Sequence, residues 1–454
     1  MDARVLSFRA ALDARPISKF HIRLVVLAFL LMVMDGYDVQ AIGYVAPVLS
    51  GLWGIDRSAF APVFSAGLIG LTIGTFIFSP ISDRIGCRPV LITCTALFAV
   101  LTLATAFVNS WSMLLTVRFL TGLGLGGAMP SVIALVSDYA PTRRRNLMMF
   151  IAVAGFGIGG AIGGFVAAAV IQTLGWQAVF VVGGAAPLVI LPLVVLWLPE
   201  SLPRLLNDPE PRARLAKIVD GLVPGWTAPT HAPETSERER FPVKQLFTRQ
   251  YAAPTLLLWA VFVCNLLLVY FYVNWIPSLV TTSGQSLQTA NIAAGIFQLA
   301  GIAGGLLMST LSDRSGRTQL LMAGGYLGAA LCSFGFGVAA HSSPATLIAT
   351  AAAAGFCIVG SQGVANAFAG AYYPAAIRAT GVGWSLGMGR LGSILGSIAG
   401  GVLLSLQVSM QTLFACFAVP ALIAGLCILL VKRSPDVVAS EAPDVAGSRV
   451  RSTA

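Results

Sequence analysis

Along this chain the apolar residues gather in twelve near-continuous runs, at 25–48, 60–81, 90–108, 112–137, 147–172, 177–198, 252–277, 289–311, 319–339, 344–370, 380–405 and 410–431. A helix crossing a hydrocarbon core about 30 Å thick needs roughly 20 apolar residues, which is the length of these runs. Strands of a membrane barrel would instead alternate apolar and polar positions over about ten residues. The pattern predicts an all-α membrane protein of twelve transmembrane helices.

Polar segments divide the runs six and six. The longest, 199–250, holds eight prolines, from Pro199 to Pro242, and a charged run from Glu237 to Arg240. The predicted organisation is an N-terminal tail (1–24), a six-helix bundle (25–198), an inter-bundle loop (199–250), a second six-helix bundle (251–432) and a C-terminal tail (433–454).

The two halves echo one another. Ser82-Asp83-Arg84-Ile85-Gly86-Cys87-Arg88 follows the second run, and Ser312-Asp313-Arg314-Ser315-Gly316-Arg317 follows the eighth, 230 residues later. Asp138-Tyr139-Ala140-Pro141-Thr142-Arg143 after the fourth run is answered by Tyr372-Tyr373-Pro374-Ala375-Ala376-Ile377-Arg378 after the tenth. Glycines at every fourth position in the fifth run (155, 159, 163) recur in the eleventh (392, 396, 400), giving both helices a smooth face for close packing. Parallel repeats of six helices place a substrate site near mid-membrane, between the halves.

Composition agrees with a membrane setting and removes other classes. Hydrophobic residues make up 57% and charged residues 10%, where soluble domains carry about 25% charged. The net charge of +10 invites a nucleic-acid reading, but the basic residues follow the membrane. All but three of the 28 Lys and Arg fall on the side holding both termini, the exceptions being Arg57, Arg118 and Arg390. The positive-inside rule makes that side cytoplasmic and predicts a multi-pass membrane protein with both termini in the cytoplasm. The first 22 residues lack the apolar core of a cleaved signal. Six of the seven cysteines lie within apolar runs, so no disulfide is expected, and no metal-ligand spacing is present. With no nucleophile, metal or cofactor constellation in the loops, and no Gly-rich Lys-Ser/Thr nucleotide motif, neither an enzyme nor a cofactor is expected. A single chain is expected to suffice.

The six-plus-six order, with Asp-Arg-x-Gly-x-Arg after the second run, resembles the major facilitator superfamily over residues 20–432. This copy has Ser79 where that loop pattern has Gly, and Cys87 where it has a basic residue. Arg118-x-x-x-Gly122-x-Gly124 is similar to the superfamily's fourth-span motif.

Of eighteen acidic residues only Asp35 and Asp38 lie deep in a run. Each buried charge costs roughly 2.5–3.5 kcal/mol on insertion scales, so two of them require a reason. At i and i+3 they share one face of the first helix. Burial and mutual repulsion both disfavour the charged form, which suits a group that must load and release a proton. The competing reading is that one of them merely neutralises Arg118 or Arg390. The stretch Asp35-Gly36-Tyr37-Asp38-Val39-Gln40-Ala41-Ile42-Gly43-Tyr44-Val45-Ala46-Pro47 resembles the first-span signature of the aromatic acid:proton symporter family. The resemblance implies import of benzoate-type acids, such as 4-hydroxybenzoate or protocatechuate, together with protons, and implies that Asp35 and Asp38 are required.

A carboxylate substrate needs a cationic partner, and a guanidinium matches it with a planar fork. Arg118 and Arg390 are the basic residues within runs, one in each half; Arg390 is the better candidate for the anion, and Arg118 for packing or proton coupling. An aromatic ring also needs an apolar slot with a few polar groups. Tyr37 and Tyr44 beside the acidic pair, Asn265, Tyr270 and Asn274 in the seventh run, and Gln362 and Asn366 in the tenth are the candidates. By resemblance Asp83, Arg84, Arg88, Asp313, Arg314 and Arg317 form a gate on the terminal side, with Asp138 and Arg143 as partners. Proton-driven export of a drug or metabolite remains an open alternative. A membrane sensor of aromatic compounds is more remote, because the longest loop offers no signalling module.

Overall fold

A computed structural model describes residues 7–8, 11–13, 16–202, 222–223, 243–339, 342–374 and 377–431. The C-terminal tail and most of the inter-bundle loop lie outside the described residues.

Twelve long helices run through them: α1 (Lys19–Trp53), α2 (Ala61–Ile85), α3 (Cys87–Thr105), α4 (Trp111–Tyr139), α5 (Arg145–Leu174), α6 (Gln177–Trp197), α7 (Ala252–Thr282), α8 (Leu287–Ser315), α9 (Thr318–Ala339), α10 (Pro344–Tyr372), α11 (Arg378–Ser405) and α12 (Met410–Leu430). Length and hydropathy alone suffice for a membrane crossing in eleven of them. The twelfth, α1, is 35 residues long and carries the acidic pair.

The loops on the face away from the termini carry the helix-start signals that the apolar runs lack. Ser110, Ser286, Ser343 and Ser409 each accept a hydrogen bond from the backbone N–H three residues on, at the starts of α4, α8, α10 and α12. Such caps satisfy N–H groups that a helix leaves unpaired.

Two pseudo-symmetric six-helix bundles result, α1–α6 and α7–α12, built on the same pairings. Helix α1 packs on α5, α2 on α4 and α3 on α6; α7 packs on α11, α8 on α10 and α9 on α12. Lipid is as apolar as leucine, so the fit between helices, not expulsion of water, must supply the association. The repeated glycines supply that fit. A Cβ built on Gly159 would lie 1.9 Å from the Val33 carbonyl oxygen of α1, and one on Gly392 would lie 2.0 Å from the Val263 oxygen of α7. The glycine ladders of the fifth and eleventh runs therefore do equivalent work in the two bundles. The α2–α4 and α8–α10 pairs are equally close, at Gly122 against Gly67 and Gly355 against Phe297.

The bundles meet from mid-membrane to the face away from the termini. Gly157 of α5 faces Ile302 of α8, Gly164 faces Asn291 and Gly295, and Gly43 of α1 abuts Val273 and Asn274 of α7. Nearer that surface, Gly401 of α11 packs on Ala61, and Phe64 meets Trp275 edge-on at 5.2 Å. Arg57, in the first loop on that face, closes the seam. Its guanidinium donates to the Ser278 carbonyl, to Thr281 Oγ1 at 2.9 Å and to Thr282 Oγ1. A cation at the end of α7 suits the negative pole of that helix.

Candidate functional site

Asp35 and Asp38 sit halfway along α1, and their environments separate them. Asp38, 1% exposed, turns into the first bundle. Its Oδ1 accepts from Thr102 Oγ1 of α3 at 2.5 Å, and Arg118 of α4 reaches its two oxygens at 3.4 and 3.3 Å. Arg118, 4% exposed, is held in turn by Thr105 Oγ1 at 2.6 Å and Thr121 Oγ1 at 3.3 Å, and lies over the Phe180 ring at 5.2 Å. The charge pair, two threonine acceptors and an aromatic face together offset much of the desolvation that burial imposes on a guanidinium. Next to the pair, Val39, Ile42, Val63, Phe64, Leu68, Leu71 and Asn274 help to line a cavity of about 30 Å³, room for a water or two and too small for an aromatic ring.

Asp35 is 2% exposed. Arg390 of α11 is the cation that acts on it electrostatically, and Asp38 is the neighbouring like charge. Its Oδ1 has no hydrogen-bond partner among the described residues. Arg390 itself is partly exposed, and Nη1 reaches Tyr270 Oη of α7 only at 3.5 Å. A buried carboxylate with an unused oxygen and a loosely held guanidinium of the other bundle are thus electrostatic neighbours. A paired carboxylate lies one turn away on the same helix.

The remaining sequence candidates divide in two. Tyr37 donates to the Val179 carbonyl at 2.8 Å and Tyr44 to the Gly160 carbonyl at 2.7 Å, so both hydroxyls tie α1 to its own bundle. Asn265 binds the Ile358 carbonyl at 3.1 Å and Asn274 binds Ser397 Oγ at 2.8 Å, bracing α7 against α10 and α11. Gln362 and Asn366 bond one another at 3.0 Å along α10, where Asn366 is exposed. Of the second bundle's candidates, Tyr270 and Arg390 are the ones that Asp35 acts on electrostatically.

On the terminal face Asp83, Arg84, Asp313, Arg314 and Arg317 are exposed at helix ends. Arg88 donates its backbone N–H to Glu200 Oε1 and Nη2 to the Val195 carbonyl. Asp138 accepts from the Leu202 N–H at 3.2 Å, and Arg143 bonds the Asp13 carbonyl at 3.5 Å.

Several residues at the site were not singled out from the sequence. Thr102, Thr105 and Thr121 look like ordinary span residues until the helices are packed. Gln40, Asn291 and Gln298 did carry a signal, being polar residues inside apolar runs; all are at least nine-tenths buried, each with an unpartnered amide atom.

Two six-helix bundles closed over one face, with a buried carboxylate and a partly exposed guanidinium at their boundary, have the architecture of a membrane transporter. The chain belongs to the Major Facilitator Superfamily, whose profile matches residues 28–290 and 279–452. It is 39% identical to the gallate transporter of Pseudomonas putida, over 92% of this chain and 93% of that one. It is 37% identical to the 4-hydroxybenzoate transporter PcaK of Pseudomonas aeruginosa, over 94% and 95%. The benzoate transport protein of Acinetobacter baylyi is 31% identical, over 94% and 93%. Among solved structures, the inward-open xylose transporter XylE of E. coli superposes with a TM-score of 0.72 at 16% identity, covering 91% of this chain and 97% of that one, which bears on the fold alone.

Proposed function

We propose that this protein imports an aromatic carboxylate of the benzoate type, together with protons, across the bacterial inner membrane by alternating access. Both termini are cytoplasmic in this reading, one chain forms the working unit, and the two bundles at 25–198 and 251–432 are the bodies that rock. The observation that carries it is the uneven pairing of the two acids: Asp38 is held by Arg118, whereas Asp35 shares the boundary with the loosely bound Arg390.

The roles follow from charge competition. A substrate carboxylate and an ionised Asp35 are like charges competing for one guanidinium, so the anion binds Arg390 when Asp35 carries a proton. Substrate and proton then load together. Asp38 is the second proton-handling group, because protonating it frees Arg118 from its buried partner and unties α1 from α4. Arg57 seals the outer face in the state described here, leaving the cytoplasmic side as the route of release.

The names of the relatives support the substrate class, since a gallate, a 4-hydroxybenzoate and a benzoate transporter each align over more than nine-tenths of the chain. The test is binding to purified protein by thermal shift across benzoate, 4-hydroxybenzoate, protocatechuate and gallate. Stabilisation by at least one acid, lost in Arg390→Gln, is expected. Stabilisation by a sugar or a cationic drug and by none of the acids would overturn the assignment.

A further inference from the structure

Two buried amides from opposite bundles converge on one bare strip of α5. Gln40 of α1 lies against Gly160, where an added Cβ would meet its amide nitrogen at 2.0 Å. On α8, Gly295 faces Ala161 and Ile302 faces Gly157, so Gln298 between them comes to the level of Gly160. Both side chains are almost wholly buried, at 1% and 4% exposure. Neither amide is fully satisfied: Gln40 Oε1 accepts from the Tyr44 hydroxyl at 3.3 Å, but Gln40 Nε2 and Gln298 Oε1 have no hydrogen-bond partner among the described residues. Leaving a buried donor and a buried acceptor unpaired at one level of the interface is costly, and native structures rarely do so without a reason.

The pair is chemically complementary to a phenol. A hydroxyl donates one hydrogen bond and accepts others, so one ring hydroxyl can donate to Gln298 Oε1 while accepting from Gln40 Nε2. Along α1 Gln40 lies five residues beyond Asp35, a rise of about 7.5 Å, so the amides stand at a different level of the boundary from the acidic pair. We infer that Gln40 and Gln298 read the ring hydroxyl of the substrate, with the carboxylate held at Arg390, and so set the preference for para-hydroxylated over unsubstituted acids. A site built to bond a hydroxyl penalises the analogue that lacks it, because its own polar groups stay unpaired. Since each amide comes from a different bundle, a hydroxylated substrate also bridges the two.

This inference rests on the proposed transport of aromatic carboxylates, and the experiment separates the two. Binding constants for benzoate and 4-hydroxybenzoate are measured on the full chain in detergent, and KM values in proteoliposomes, for wild type, Gln298→Met and Gln40→Met. Methionine keeps the volume and removes the hydrogen bond, and the two variants lie on different bundles, so misfolding of one leaves the other informative. Wild type is expected to favour 4-hydroxybenzoate, and each variant to lose about twofold to tenfold in affinity for it while benzoate is unchanged. An equal loss for both acids, or no loss for either, would show the amides to be interface braces and overturn the inference. Wild-type protein that binds neither acid would overturn the transport reading, and this inference with it.

Discussion

Replacing Asp38 by asparagine leaves Arg118 charged, 4% exposed and without its counter-ion. Breaking a buried pair by removing one partner costs roughly 3–5 kcal/mol, most of it the uncompensated charge that remains. Thr105, Thr121 and Phe180 still hold the guanidinium, which places the expected loss toward the lower figure. Asp38→Asn should therefore be less stable than wild type by about 3 kcal/mol, read as a lower denaturation midpoint in detergent. Adding Arg118→Gln should restore most of the stability, because a neutral amide pair replaces the orphaned charge. Transport should not return with it, since no titratable group remains at that position. Proteoliposome uptake of labelled 4-hydroxybenzoate under an imposed pH gradient reads the second half of the prediction. If Asp38→Asn is as stable as wild type, the pair is not the buried lock described here. If the double variant still concentrates substrate with the gradient, Asp38 does not carry a coupled proton.

Other outcomes follow from the same geometry. Arg390→Gln should weaken carboxylate binding by roughly tenfold to a hundredfold, the worth of a charge-assisted hydrogen bond, in an equilibrium binding assay; unchanged affinity would remove Arg390 from the site. Arg57→Ala should loosen the outer seal by about 1 kcal/mol, or fivefold in the open population, seen as faster labelling of Ser278→Cys by an impermeant maleimide; equal labelling rates would mean that the loop is not a latch. Gly159→Val should cost at least 1–3 kcal/mol through overpacking, because the Val33 carbonyl stands 1.9 Å from its Cβ. Gly383→Ala, with nothing within 4 Å, should leave the denaturation midpoint unchanged.

Much of the fold was legible in the sequence because a bilayer imposes length and continuity on each span. All twelve runs became helices, and the glycines at every fourth position in the fifth and eleventh became the faces that meet α1 and α7. Helix ends were less legible: α1 extends to Trp53 and α7 to Thr282, beyond the apolar runs, because capping and packing set the ends. At the site, a charge inside an apolar run stood out by its cost, which is why Asp35, Asp38, Arg118 and Arg390 could be picked. Which acid would meet which arginine could not be read, because it depends on how α1 is rotated against α4 and α11. The i, i+3 spacing predicted that the two acids would be neighbours, as they are, but not that Arg118 would pair with Asp38 while Arg390 acts on Asp35. Tyr37 and Tyr44 illustrate the same limit: their nearness to the acids in sequence says nothing about where the rings point, and both hydroxyls end on backbone carbonyls.

The central claim is that a proton and an aromatic carboxylate share one boundary site, and substrate-induced proton movement tests it most directly. Purified protein in lightly buffered detergent, mixed with 4-hydroxybenzoate near neutral pH, should take up protons on binding, seen as alkalinisation by a pH indicator, and Asp35→Asn should abolish the signal while still binding the acid. Binding of the acid by wild type with no proton uptake, or an undiminished signal in Asp35→Asn, would contradict the account.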